Sequence, residues 1–279
     1  MIGAMRKSTI LVLSVLPVLL FACSSGNGSS NPTPKPDGSN ELEVGMQEFA
    51  YVVNGTAKAG PLTLDFHNVG KQEHMAIVGR LDPGKTLADV RKAFTKDSGG
   101  PPPKWYHDDP ADESVLSPGQ SVGVTIDAST PGTYVMLCFF PDPKTHKPHV
   151  ALGMAQTFEV SKQQTTAPRL KPAAGFSISD SGVRAPDLQA GKVTVNVSNR
   201  ASKAADFNVV QLAPGKTPAD ADRWFNSGQK GPRPVELMGG THAVEPGSSI
   251  LLTFDLKPGT YTAVSTIGKK DLTATFKVT

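Results

Sequence analysis

Ser117 to Cys138 reads SPGQSVGVTIDASTPGTYVMLC, and Glu245 to Ser265 reads EPGSSILLTFDLKPGTYTAVS. Each stretch opens on a Pro-Gly turn and runs through alternating apolar positions. A second Pro-Gly then leads into Gly-Thr-Tyr at the head of another apolar run. Val122, Val124 and Ile126 interleave with Gly123, Thr125 and Asp127, and Ile250, Leu252, Phe254 and Leu256 alternate in the same way. Successive side chains of a strand point to opposite faces, so this period between turn residues predicts half-buried antiparallel strands.

The matching spreads outward from these two segments. PGKTLADVRKAF begins at Pro83 and PGKTPADADRWF at Pro214; Thr86 to Phe94 and Thr217 to Phe225 read as short helices with Thr as N-cap. TLDFHNVGKQEHMAIV matches TVNVSNRASKAADFNVV, which sets His74 opposite Asp206, and MAQTFEV matches LTATFKV. The chain is thus two copies of one β unit. The expectation is all-β: two tandem sandwiches, each with one short helix insertion, over 41–161 and 173–279, joined by a polar, proline-bearing linker at 162–172. A content of 27 Gly and 24 Pro in 279 residues suits short strands with many turns. The net charge of +3 falls further once Arg6 and Lys7 are removed with a leader, which argues against a nucleic-acid partner.

That leader is read from the N-terminus. Arg6 and Lys7 precede an apolar run from Ile10 to Leu20, interrupted by Pro17 and too short for a permanent span. Leu20-Phe21-Ala22-Cys23 resembles a bacterial lipobox. The resemblance implies a signal peptide over 1–22 and an acylated Cys23 as the mature N-terminus. It also implies a disordered tether over 23–40 and a lipid-anchored protein on the extracytoplasmic face of the cell membrane. Ser24 to Lys35, SSGNGSSNPTPK, has the composition of such a tether. If Cys23 is acylated, Cys138 has no intramolecular disulfide partner. It is then a buried small hydrophobe, an intermolecular partner, or a thiolate metal ligand.

The two copies differ where chemistry would sit. Cys138 stands where the second copy has Ser265. After Cys138 the chain runs FFPDPKTHKPHVALGM, supplying His149 and Met154, whereas the second copy runs TIGKKDLTATF, with no His, Cys or Met.

GTYVMLC, then His149, then Gly153-Met154, with His74 at the head of the upstream strand HMAIVGRL, resembles the metal loop of cupredoxins, the family of plastocyanin and azurin. The resemblance spans Glu41 to Ser161 by motif and the rest only through the repeat. It implies Greek-key sandwiches and one copper ion held by His74, Cys138, His149 and Met154, with Phe139 and Phe140 shielding it. One-electron transfer with a redox or copper-exchange protein would follow. A thiolate, two imidazoles and a weak thioether suit copper in both oxidation states. Copper delivery or storage, and a metal-free binding module, are the alternative functions. His146, three residues before His149, could replace it.

Tandem sandwiches of this kind also resemble nitrite reductases and small multicopper oxidases. Those need paired histidines, and here Leu137 precedes Cys138, no His-x-His occurs and there are six histidines in all. The expectation is therefore that the chain is not an enzyme. His107, His67 and His242 are read as structural or exposed, and Asp108, Asp109, Asp112 and Glu113 as a solvated turn.

Overall fold

The computed structural model describes residues 38–94, 102–108 and 115–279. The leader, Cys23, most of the tether, and Asp109, Asp112 and Glu113 lie outside the described residues. No helix among the described residues is long and apolar enough to cross a membrane.

The first half contains β1 (Glu41–Gln47), β2 (Ala50–Asn54), β3 (Ala57–Ala59), β4 (Pro61–Asn68), β5 (Ile77–Leu81), α1 (Leu87–Phe94), β6 (Tyr106–Asp108), β7 (Ser121–Asp127), β8 (Gly132–Leu137), a 3-10 turn (His149–Leu152) and β9 (Ala155–Gln164). The second half contains β10 (Ala174–Ser179), β11 (Gly182–Arg184), β12 (Gly191–Asn199), β13 (Ala205–Leu212), α2 (Pro218–Asn226), β14 (Val235–Val244), β15 (Ser249–Leu256), β16 (Gly259–Ile267) and β17 (Lys270–Val278).

The alternating positions do bury one face: Leu62, Leu64, Phe66, Val122, Val124 and Ile126 are inside, as are Val193, Val195, Val197, Leu252 and Phe254. Both Gly-Thr-Tyr motifs act alike. Tyr134 donates its hydroxyl to Thr130 O at 2.9 Å and Tyr261 to Lys257 O at 3.0 Å, so each tyrosine closes the turn that precedes its own strand. Thr217 caps α2 with a full capping box, its side chain accepting from Asp220 N.

One sheet runs through both halves in the order β11-β10-β12-β15-β7-β4-β1-β2, its two parts joined where Leu251–Phe254 of β15 pairs with Val122–Thr125 of β7. Each half closes its sandwich with an outer sheet, β3-β9-β8-β5-β6 in the first and β14-β13-β16-β17 in the second. Residues of both halves share one large apolar core.

The registers correct one pairing read from the sequence. β5 pairs Val78 with Met136 and β13 pairs Val209 with Ala263, and Met136 and Ala263 hold the same place after Gly-Thr-Tyr. Val78 and Val209 are therefore counterparts, and four residues back so are His74 and Ala205, not Asp206. The isolated bridge from His74 to Leu116 agrees with the pairing of Ala205 and Val244.

Candidate metal centre

His74, Cys138 and His149 converge at one end of the first sandwich, all fully buried, with their donor atoms within 4.8 Å of one another. Cys138 directly follows β8, and a short web of backbone hydrogen bonds folds the following loop over it. Cys138 N donates to Met154 O (3.2 Å), Val150 N to Cys138 O (2.6 Å), His149 N to Phe140 O (2.9 Å) and Met154 N to His149 O (3.0 Å). Met154, also fully buried, is thereby fixed beside both Cys138 and His149.

The ten residues between Cys138 and His149 do not displace the histidine, because the excess closes on itself. Asp142 N donates to Lys147 O, His146 N donates to Asp142 O, and Asp142 Oδ1 accepts from Thr145 N and Oγ1, each at 2.7 Å. His146 sits at the tip of this turn with φ 59°, exposed and outside the cluster.

His74 is held from the upstream loop. Asn68 Nδ2 donates to Gln72 O and Leu116 O, both at 2.8 Å, and Asn68 Oδ1 accepts from Gly70 N. Asn199 does the same for Lys203 O, Val244 O and Ala201 N in the second half, so the brace belongs to the fold and recurs without the ligand. Glu48 fastens the loop from β1's end by accepting from Lys71 N and Gln72 N, as Asp180 accepts from Ser202.

The proton positions follow from the partners. Gln72 Nε2 donates to Asp142 Oδ2 (3.2 Å), which turns Gln72 Oε1 to accept from His149 Nε2 (3.0 Å). His149 Nδ1 therefore carries a lone pair, aimed at His74 Nδ1 (3.1 Å) and Cys138 Sγ (3.4 Å). His74 Nε2 is buried without a hydrogen bond, and Glu48 Oε1 lies 3.6 Å from it. A proton there faces a carboxylate, leaving a second bare Nδ1 opposite the first. Two lone pairs and a sulfur this close repel one another unless a cation lies among them. Donors ~2.0–2.3 Å from an ion in one plane stand roughly 3.5–3.8 Å apart, near the spacings found. The donor set therefore fits a transition-metal ion of intermediate to soft character.

Burial pushes the His149 pKa down to about 4, with His74 adding to the shift, and burial likewise lowers His74. Both rings are neutral at physiological pH, as metal binding requires. Phe49 packs on the His149 ring at 4.8 Å and Phe140 at 6.2 Å, which excludes water. Phe139 turns away, toward Phe94 at 5.9 Å.

The other singled-out residues stand apart from the cluster. His107 pairs with Asp82 at 2.7 Å, His67 with Asp65 at 3.5 Å and His242 with Asp206 at 2.9 Å. Asp108 accepts from the Tyr106 hydroxyl. Ser265, in the place of Cys138, is buried with its hydroxyl unpartnered, and among the described residues no donor set surrounds it. Sequence reasoning missed Gln72, Glu48, Phe49 and Asn68. The doubled Asn68–Asn199 and Glu48–Asp180 positions were the available signal.

Fold and cluster together define a class: tandem cupredoxin-like sandwiches whose ligand set, among the described residues, lies in the first alone. No family model and no curated protein matches the sequence. Solved structures do match. A dithionite-reduced auracyanin from the photosynthetic bacterium Roseiflexus castenholzii is 27% identical over 44% of this chain and 98% of its own, with a TM-score of 0.30. Auracyanin A, a "blue" copper protein from Chloroflexus aurantiacus, is 24% identical over 44% of this chain and 100% of its own, TM-score 0.30. A multicopper oxidase is 15% identical over 88% of this chain and 92% of its own, TM-score 0.25. The expectation that the chain is not an enzyme is corrected by this last kind of match. Multicopper oxidases are enzymes, and several of them match over most of the chain. The lack of His-x-His argues against one ligand arrangement, not against catalysis.

Proposed function

We propose that the chain binds copper through His74 Nδ1, His149 Nδ1 and Cys138 Sγ, with Met154 as a weak further ligand, and that it passes single electrons through this centre. One ion would be held, on the extracytoplasmic side of a membrane to which an acylated Cys23 tethers the protein. The observation that carries the reading is the convergence of three buried donors whose outer nitrogens already face oxygens of Gln72 and Glu48. A bound copper supplies an acceptor and donor of one electron. The protein's part is to hold His149 in one tautomer through Gln72, to hold His74 through the Asn68-braced loop, and to exclude water with Phe49 and Phe140.

Titration of the protein with Cu(II), followed by visible absorption, tests this with Cys138→Ser in parallel. The expected result is an intense thiolate-to-copper band that saturates at one equivalent and is absent in the variant. Tight Cu(I) uptake without that band would move the function to copper delivery or storage. No binding in either oxidation state would leave a metal-free module.

A further inference from the structure

Arg233, in the ligand-free half, is presented to the metal end with little freedom. It stands between Pro232 and Pro234; the first is rigid itself and the second keeps the Arg233 backbone extended. Its guanidinium lies over the Trp224 ring at 5.7 Å, and the Trp224 indole N–H donates to Gly231 O at 3.3 Å, so α2 and the segment after it brace each other. From there Arg233 Nη2 comes within 2.9 Å of Glu73 Oε1 in the first half, and Arg233 Nη1 within 3.5 Å of Glu236 Oε2. Glu73 is buried, and neither of its carboxylate oxygens makes a directional hydrogen bond, nor does Arg233 Nε.

Stability does not account for such a pair. Burying two charges without further hydrogen bonds costs about as much solvation as their attraction returns, and apolar side chains of similar size often do better. The repeat agrees. One place before Ala205, the counterpart of His74, stands the half-buried Ala204, so the fold accepts a small apolar residue where the first half has Glu73. Arg233 takes the place of Lys104, each two residues before the matched positions Val235 and Tyr106, and Lys104 is exposed. Of the two counterparts, the carboxylate stands beside the ligand and the alanine beside its absence.

We infer that Arg233 is a positioning residue for the copper ligand His74, and that its ion pair with Glu73 sets the balance between Cu(I) and Cu(II) at the centre. This rests on the copper reading above and gives the ligand-free half a part in it. One peptide bond joins Glu73 to His74. His74 in turn exchanges backbone hydrogen bonds with Leu116 (3.2 and 2.8 Å), and the next residue, Ser117, does so with Leu237 of β14 (2.9 Å). Glu73 and Leu116 thus fasten the ligand's backbone to one stretch of the second half. A carboxylate next to a ligand favours the more highly charged Cu(II), and Arg233 offsets it.

The test is the copper reduction potential of Glu73→Gln, of Glu73→Gln/Arg233→Met and of Arg233→Lys, with hydrogen exchange of the copper-free proteins. Glu73→Gln keeps the shape and leaves Arg233 uncompensated. It shifts the equilibrium about fivefold toward Cu(I), about 40 mV upward for a one-electron couple. The double variant returns at least half of that shift, which lost packing alone would not do, and Arg233→Lys stays near the parent. Without copper, the double variant exchanges the His74 and Leu116 amides about tenfold faster relative to those of Val122 and Val124. Should Glu73→Gln fail to fold, Glu73→Ala, which copies Ala204, serves in its place. An unchanged potential in the single variant, an equal or larger shift in the double, or unchanged relative exchange at His74 overturns the inference. Failure of the copper reading shows separately, as absence of copper uptake, and the exchange measurement needs no metal to decide whether the pair positions His74.

Discussion

Glu73, the residue before the ligand His74, is held from the other half of the molecule: Arg233 Nη2 lies 2.9 Å from Glu73 Oε1. Glu73 is 1% exposed, and Arg233 lies over the Trp224 ring at 5.7 Å. The backbone repeats the link, because Leu116 bridges to His74 on one side and to Met238 on the other. The ligand-free half is thus a buttress for the His74 loop. Arg233→Met leaves a buried carboxylate without its counter-charge. Breaking a fully buried pair costs about 3–5 kcal/mol, and Arg233 is 26% exposed, so a loss of about 2 kcal/mol is expected. Adding Glu73→Gln restores more than half of it. Denaturant titration of the single and double variants measures both, and an additive double variant would deny the coupling.

Gly70 and Ala201 are counterparts in the two loops, and the difference between them tracks the ligand. A Cβ on Gly70 would stand 2.9 Å from His74 Nε2 and 2.8 Å from Glu48 Oε1, whereas in the second half the counterpart of His74 is the small Ala205. Gly70→Ala therefore moves the His74 ring. The expected outcome is a shifted copper absorption band and at least tenfold weaker copper binding, with stability lowered by about 1 kcal/mol. Ala201→Gly leaves the copper titration unchanged. An unaltered band in Gly70→Ala would show that the ring has room the geometry denies.

Legibility followed the physics of each feature. Strand alternation and Pro-Gly turns are local, so β4, β7, β12 and β15 and both helices were readable from single stretches such as Leu62–Phe66. The donor set was readable because Cys138, His149 and Met154 lie on one loop. His74 was found, but its counterpart was misread as Asp206. An ungapped path from Asn68 to Pro83 fixes it as Ala205, and only the strand register made that compelling. Gln72 and Phe49 act through space across separate elements and nothing in their own neighbourhoods marks them, while Glu48 is marked only by its repeat in Asp180. The shared sheet was equally hidden, since the pairing of β7 with β15 joins residues about 130 apart that carry no signature beyond ordinary alternation.

His67 and Asp65 on the outer face of β4 set a pH dependence away from the metal centre. The hydrogen bond that His67 donates to Asp65 raises the His67 pKa above its usual value of about 6.5, against opposing desolvation. A raised folded-state pKa means that the charged ring favours the native state. This stabilisation is complete below the unfolded pKa and is lost as pH rises through the raised value. Thermal midpoints of the parent should therefore fall relative to those of His67→Gln between about pH 6 and pH 8. With the ring 44% exposed the effect is small, and parallel curves for the two proteins would refute it.

The seam between β7 and β15 predicts how the molecule unfolds. Val122 and Phe254 pair directly, as do Val124 and Leu252, and all four side chains are buried in the common core. On the opposite face Thr63 bonds Thr125 at 3.0 Å and Thr194 bonds Thr253 at 2.9 Å, while Gly123 lets Thr63 and Thr253 approach to 3.3 Å from its Cβ position. Separating the halves would bare the unpaired backbone of β7 along an apolar strand, a template for association with another chain. Residues 38–164 alone should therefore self-associate, which sedimentation velocity would detect. The whole chain should melt in one calorimetric transition whose van't Hoff and calorimetric enthalpies agree. Two resolved transitions, or a monomeric and stable first half, would mean that the seam contributes little and that each sandwich stands on its own core.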